Sequence, residues 1–281
     1  MNDNAWKTAE LILTGNELLN GNILDTNSQW IAKELTSIGI QVRRMTVIED
    51  RVDIIADAIR GALGRRPNYI ITSGGLGPTY DDVTLEGVAK ALNKKLQTNS
   101  IALRMVQERY HLAEKAGILR ITDVESSMGK MATLPWQSTP LPNPAGAAPG
   151  VMIEHEATVI FSVPGVPSEM KAIFNYSIIP WIKNHLGSAF HFEKTLLVTG
   201  VAEALLAPTI VEAMRTVGDT WIKSCVKGHG KSEVCISTTA LTEDEAERRV
   251  RKATQMIMEG AIKAGAKIEE KSTENPEKLK A

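Results

Sequence analysis

The chain has 281 residues, 43% of them hydrophobic and 23% charged, enough to bury one large core or two ordinary ones without staples. Its 32 basic and 33 acidic residues leave a formal charge of −1, a balance that gives no reason to expect nucleic acid or an anionic membrane as a partner. No apolar stretch approaches the roughly 20 residues that span a bilayer, and Met1-Asn2-Asp3-Asn4 opens without the basic and apolar regions of a signal peptide. Two cysteines, Cys225 and Cys235, are too few for a disulfide scaffold. A cytoplasmic small-molecule enzyme or binding protein is expected.

In chain order, Trp6 to Leu13 reads as a buried strand running into the turn residues Thr14-Gly15-Asn16-Glu17 and Asn20-Gly21-Asn22. From Thr26 the spacing of Trp30, Ile31, Leu35 and Ile38 is helical, with Gly39 as the stop. Ile40 to Ile48 alternates like a strand and ends at Glu49-Asp50. Ile54, Ile55, Ala58, Ile59 and Ala62 share one face of a second helix. Tyr69-Ile70-Ile71 is a short strand that breaks into Ser73-Gly74-Gly75-Leu76-Gly77-Pro78-Thr79, and helices follow at Val83–Leu92 and Ser100–Ala116. Such alternation predicts right-handed βαβ units on a parallel sheet. Pro135 to Pro149 is rich in Pro, Asn, Gly and Ala and reads as a long ordered loop or lid. Thr158–Val163 is a strand leading into Pro164-Gly165-Val166-Pro167, with a helix from Ser168.

The rhythm then changes. A strand at His191–Thr199, a helix at Ala202–Thr216, strands at Thr220–Cys225 and Ser232–Thr239 and a helix at Glu243–Ala264 make a βαββα unit of the α+β class. The expected division is therefore residues 1–180, residues 181–270 and a polar, frayed tail from Lys271 to 281. There is no internal repeat and no low-complexity tract. Cys225 and Cys235 are expected to face each other, reduced and buried, across a hairpin at Gly228-His229-Gly230. His111, His155, His185, His191 and His229 show no ligand spacing.

In an open parallel sheet, ligands bind outside the carboxyl ends of the strands. Gly15-Asn16-Glu17, Glu49-Asp50, Gly74 to Asp82 and Pro164 to Pro167 each follow a predicted strand, so all should meet at one edge. The glycines of Gly74-Gly75-Leu76-Gly77 allow close backbone approach, and their amides with the dipole of the next helix suit a phosphate. The plain alternative is a tight turn with no ligand. Neither a Walker A sequence nor the Rossmann glycine spacing is present. Asp81-Asp82, Glu17 and Asp50 bring carboxylates to the same edge. The plain alternative for Asp50, Asp81 and Asp82 is that each caps a helix. Acids around a phosphate repel it unless a divalent cation bridges the two, which points to metal-assisted chemistry at a phosphoanhydride.

Four separated motifs carry a family resemblance. Thr14-Gly15-Asn16-Glu17-Leu18-Leu19-Asn20-Gly21 with Asp25-Thr26-Asn27-Ser28, then Thr72 to Thr84, Pro142 to Gly150, and Val163 to Met170 resemble the competence/damage-inducible CinA proteins. The likeness is strong from Ala9 to Phe174 and weak in the βαββα unit, which resembles that family's KH-like domain. It implies a molybdopterin-binding-like three-layer α/β/α domain with a mostly parallel sheet, followed by the small α+β domain. The Gly-Gly-Thr-Gly motif of molybdenum-cofactor biosynthesis proteins corresponds to Gly74-Gly75-Leu76-Gly77, and their functional aspartate to Asp82. The family's associated activity implies metal-dependent hydrolysis of ADP-ribose to AMP and ribose 5-phosphate, in a homodimer. The chain stops near Ala281, before the domain that carries nicotinamide mononucleotide deamidation in longer members, so that activity is not expected. The KH likeness does not imply RNA binding, because no Gly-x-x-Gly joins two helices.

The expected site assigns Asp82, Asp81 and Glu17 to catalysis, and Asp82, Asp81 and Asp50 to a Mg²⁺, Mn²⁺ or Co²⁺ ion. Ser73, Gly74, Gly75, Gly77 and Thr79 would cradle the pyrophosphate, with Asn27, Asn143 and Gly146 on the nucleotide or ribose. Two other readings compete: a molybdopterin-binding or adenylyl-transfer protein of the molybdenum-cofactor type, and a non-catalytic nucleotide sensor.

Overall fold

The computed structural model describes residues 7–118, 120, 125–186, 190–228 and 230–270. The tail expected from Lys271, the opening four residues, Trp6 and the hairpin residue His229 lie outside the described residues. The chain forms two compact units, one holding Ile40–His185 and nearly all that precedes it, the other the chain from Leu186 on.

The first unit begins β1 (Lys7–Thr14), α1 (Asn16–Leu19), α2 (Asn27–Ser37), β2 (Ile40–Ile48), α3 (Val52–Gly64), β3 (Tyr69–Ser73) and α4 (Thr84–Ala91). It continues through β4 (Leu96–Thr98), α5 (Ser100–Lys115), α6 (Glu125–Met131), β5 (Thr133–Pro135), β6 (Thr139–Leu141), β7 (Gly150–His155) and β8 (Thr158–Val163). It closes with α7 (Pro167–Ile173), a π-helical turn at Phe174–Ile178, and α8 (Ile179–His185). Six strands form one sheet in the order β2-β1-β3-β8-β7-β6. The first four are mutually parallel; β7 runs antiparallel to β8, and β6 antiparallel to β7.

Parallel strands covered on both faces read as continuous apolar runs, and all five residues of β3 and the last six of β1 are buried. The pleat sends Ile12, Ile70 and Ile160 to one face, where they pack with Ile55 and Ile59 of α3 and Val88 of α4. On the other face Tyr69 stacks on Phe161, and Phe161 meets Trp181 of α8 edge-on at 5.6 Å. Trp30 of α2 likewise meets Phe174 at 5.7 Å. The result is three layers, helix–sheet–helix.

The segment expected to be a loop from Pro135 to Pro149 is not a single loop. It contains β6, whose Pro140 pairs with Val151 of β7. Proline is tolerated there because β6 is the sheet's edge, where a missing N–H removes no ladder bond. Strand β7 itself, Val151 to Ile153 wholly buried, went unread next to the Pro149-Gly150 break.

The second unit is β9 (Phe190–Thr199), α9 (Glu203–Val217), β10 (Thr220–Gly228), β11 (Lys231–Ala240), α10 (Glu243–Lys263) and β12 (Lys267–Glu270). Its antiparallel sheet has the order β10-β11-β9-β12, so a fourth strand extends the expected βαββα. Leu196, Val198, Ile236, Leu206, Val250 and Ile257 form its core between the sheet and the two helices. Thr242 caps α10 by accepting the Glu245 N–H. The expected cysteine pair is not there. Register sets Cys225 opposite Glu233 and Cys235 opposite Lys223, and Cys225 is exposed. Burial pushes the Cys235 thiol up to about 12, so it stays protonated at neutral pH.

At the amino end of β1, Glu10 is 4% exposed and takes a two-pronged bond from Arg65, Nε to Oε1 at 2.7 Å and Nη2 to Oε2 at 2.6 Å. Arg65→Met strands a buried carboxylate, and because the guanidinium is partly exposed the expected loss is about 2 kcal/mol in urea unfolding. Adding Glu10→Gln to the same variant is expected to recover more than half of that loss.

Candidate functional site

Register decides where the four parallel strands stop. Thr14 pairs with Ile48, Leu13 with Ser73, and Ser73 with Val163, so β1, β2, β3 and β8 end nearly level. The order β2-β1-β3-β8 places the reversal of strand order between β1 and β3, the crevice where open α/β sheets take their ligands. The loops after these strands are tied together by the bonds from Gly15 N–H to the Ile48 carbonyl (3.2 Å) and from Gly74 N–H to the Val163 carbonyl (3.0 Å). They enclose a cavity of about 590 Å³.

Glycine is required at the floor. Gly74 has φ 109°, and a Cβ there would stand 2.3 Å from the Thr14 carbonyl oxygen; Gly75 has φ 65°, and its Cβ would meet Thr84 Oγ1 at 2.4 Å. Beneath them Thr14 Oγ1 and Thr84 Oγ1 share a hydrogen bond of 3.1 Å, and the Thr84 N–H donates to the Gly75 carbonyl at 3.1 Å. Neither threonine was singled out in the sequence; both are buried supports of the loop.

The acids converge. Glu17, Asp50, Asp81 and Asp82 all line the cavity, as do Ser73, Gly74, Gly75, Gly77, Thr79 and Asn27. Asp50 does not cap α3, whose N-cap is Arg51 with no side-chain bond; its Oδ2 accepts the Asn16 N–H at 2.9 Å instead. Burial raises the Asp50 pKa above 3.8; the Asn16 bond opposes this and Glu17, Asp81 and Asp82 add to it. Nor do Asp81 and Asp82 cap α4, where the N-cap is Val83. They bind Thr79: Asp82 Oδ2 accepts its N–H at 2.7 Å, and its hydroxyl lies 2.5 Å from both Asp81 Oδ1 and Asp82 Oδ2. One hydroxyl has one proton, so one of those two contacts is oxygen against oxygen. The Thr79 hydroxyl bond first, then a backbone bond and Lys130, hold the Asp81 carboxyl below its ordinary range. Lys130 of α6, unread in the sequence, donates to the Thr79 carbonyl and anchors the acidic loop from outside the cavity wall.

Two expected ligand contacts fall elsewhere. Asn143 and Gly146 are not in the wall. Asn143 donates to Glu169 Oε2 (2.7 Å) and to the Ala148 carbonyl, and accepts from the N–H groups of Ala145 and Gly146. A Cβ on Gly146 would lie 2.1 Å from Glu169 Cδ. These residues seat Glu169, which does line the cavity and was not foreseen.

Among the described residues the wall carries six acidic side chains (Glu17, Asp25, Asp50, Asp81, Asp82, Glu169) and no Lys, Arg or His. Among the described residues no three Asp, Glu, His or Cys side chains stand close enough to hold a metal ion by themselves. The expected ion site at Asp50, Asp81 and Asp82 is thus incomplete without oxygens from a ligand. Its donors are hard oxygens, the set that Mg²⁺ or Mn²⁺ takes, and the crowding at Thr79 is what a cation would relieve.

Gly75→Ala puts a methyl against Thr84 at positive φ, and the two effects together are expected to cost about 3 kcal/mol in denaturant unfolding. Measured against Thr84→Ala alone, in which the clash and the Thr14 bond are both already gone, the same glycine substitution should cost only roughly 1–2 kcal/mol.

Residues 10–184 match the family described as the probable molybdopterin binding domain. A protein of Sulfurisphaera tokodaii is 39% identical over 264 residues, 92% of this chain and 97% of its own. A protein of Pyrococcus abyssi is 43% identical over 223 residues, 79% of this chain and 86% of its own. The crystal structure of CinA from Thermoplasma acidophilum, described as of unknown function, is 37% identical; it matches 62% of this chain and 98% of its own with a TM-score of 0.55. The chain belongs to the molybdopterin-binding-domain family and, within it, to the CinA-like proteins.

Proposed function

We propose that the cavity binds a phosphorylated pterin of the molybdopterin type and supports adenylyl transfer to its phosphate from an adenosine triphosphate, a phosphate oxygen of the pterin attacking the α-phosphorus and pyrophosphate leaving. The observation that carries this reading is the pairing, in a chain of this family, of a glycine floor with six acidic side chains and, among the described residues, no basic one. Such a wall repels a bare phosphate and accepts one that arrives with a divalent cation. Asp81 and Asp82, with Asp50 beside them, would hold Mg²⁺, Mn²⁺ or Co²⁺ together with ligand oxygens, and the ion supplies charge neutralisation and polarisation of phosphorus. Leu76, Met131, Ala148 and Tyr110 give the cavity an apolar side suited to a flat ring.

A second reading, hydrolysis of a nucleotide pyrophosphate such as ADP-ribose, is favoured by one feature. Asp50 carries a raised pKa next to three other acids, the environment of a general base for water. Titration of the protein with molybdopterin and Mg²⁺, followed by pterin fluorescence, tests the first reading; AMP release from ADP-ribose tests the second. Pterin binding that weakens at least tenfold in Asp82→Ala, without AMP release, supports the first. AMP release with no pterin binding replaces it with the second.

Asp50 gives a pH test whose two readouts run in opposite directions. Its folded pKa lies above 3.8, so ionised Asp50 is a net cost to folding above that pKa, relieved as pH falls through it. Cation-supported binding needs the carboxylate and is lost as the same proton adds. Asp50→Asn keeps an acceptor for the Asn16 N–H, and is expected to raise the melting temperature by about 1–2 °C at pH 7 while weakening Mg²⁺-dependent ligand binding at least tenfold. A lower melting temperature would contradict the charge account.

A further inference from the structure

Asn27, the first residue of α2, is 8% exposed and held by two donated bonds, Nδ2 to the Gly165 carbonyl at 2.8 Å and to Ser73 Oγ at 3.1 Å. A backbone carbonyl only accepts, so the amide cannot be turned over: Nδ2 faces Gly165, and Oδ1 is the atom left. Oδ1 is buried and has no hydrogen-bond partner among the described residues. A bare buried acceptor costs roughly 1–3 kcal/mol, and native interiors keep few of them without a reason. Asn27 lines the cavity. So does Asp25, whose Oδ1 accepts the Ser28 N–H at 2.9 Å while Oδ2 accepts the Ser28 hydroxyl. The amino end of α2 is therefore already capped by a carboxylate and repels a second anion.

We infer that Asn27 fixes the polarity of the ligand's uncharged end: Oδ1 accepts a hydrogen bond from a neutral N–H or O–H of the ligand and disfavours an anionic oxygen. This rests on the proposed function, in which the phosphate sits at the Gly74–Gly77 loop, and adds a second contact remote from that phosphate. The N–H edge of a pterin or a ribose hydroxyl supplies such a donor; inorganic pyrophosphate has none when ionised. Ile23 and Leu24, 57% and 82% exposed, precede Asn27 in the same wall, so this stretch has little packing to lose when a ligand opens a path to Oδ1.

The test compares Mg²⁺-pyrophosphate, molybdopterin and ADP-ribose by calorimetric titration on the wild-type chain and on Asn27→Ala. Because Asn27→Ala also removes the bonds to Ser73 and Gly165, pyrophosphate affinity is expected to fall about threefold, while whichever donor-bearing ligand the wild type binds weakens at least thirtyfold. A second arm needs no variant: the same ligand methylated at its ring nitrogens or ribose hydroxyls should bind the wild type as weakly as the parent binds Asn27→Ala. Equal loss for pyrophosphate and the parent ligand would assign Asn27 a purely structural role and overturn the inference. Undiminished binding of the methylated ligand would overturn it too. A wild-type chain that binds no pyrophosphate at all removes the phosphate reading itself, and the inference with it.

Discussion

Four parallel strands that end level with one another are the constraint from which the site follows. Because Thr14, Ile48, Ser73 and Val163 come within one ladder step of each other, the loops after them must turn in the same plane. A one-residue slip in β3 would exchange Ile70 with the aromatic face of Tyr69 and swing Ser73 away from Asn27. The buried cores on both faces of the sheet prevent that slip. Packing far from the cavity thus positions the groups within it, and the glycine floor is one consequence: Gly74 lies against the Thr14 carbonyl because β1 and β3 are neighbours.

The second consequence is electrostatic. Level strand ends collect Glu17, Asp50, Asp81 and Asp82 around one volume with no basic side chain in its wall among the described residues. Unlike charges would have stabilised the fold; here burial first, and then the like charges of Glu17, Asp81 and Asp82, raise the pKa of Asp50. Sites that oppose folding in this way are kept when a ligand or ion completes them. The internal bonds around Thr79, with Lys130 pinning its carbonyl, hold the acidic loop in shape.

The fold was largely legible because its signals are local. Buried strands ending in Gly or Asp, and helices with apolar residues every three or four positions, marked the βαβ units and the rim they share. The glycine loop and its aspartates could be read from residue type and place alone. What escaped are the bonds between residues far apart in sequence. Thr14 meets Thr84 across 70 residues, Lys130 reaches Thr79 across 51, and Asn27 bonds Gly165 across 138. Asn143, which lies in one of the motifs of the family resemblance, was expected on the nucleotide or ribose; its amide is instead consumed by Glu169 and the 145–148 turn. Strand β7 was lost against the Pro-rich stretch before it, and β12 has three charges in four residues and no apolar pattern to announce it. The cysteines show how a hairpin drawn from spacing alone misses register, which here sets Glu233 rather than Cys235 opposite Cys225.

The most direct measurement is the amide NMR spectrum of the ¹⁵N-labelled chain titrated with inorganic pyrophosphate, first in EDTA and then in Mg²⁺. The account requires resonances of Gly74, Gly75, Gly77 and Thr79 to move together with Mg²⁺ present and to stay still without it. Equal shifts in EDTA, or shifts confined to residues away from these strand ends, would contradict it.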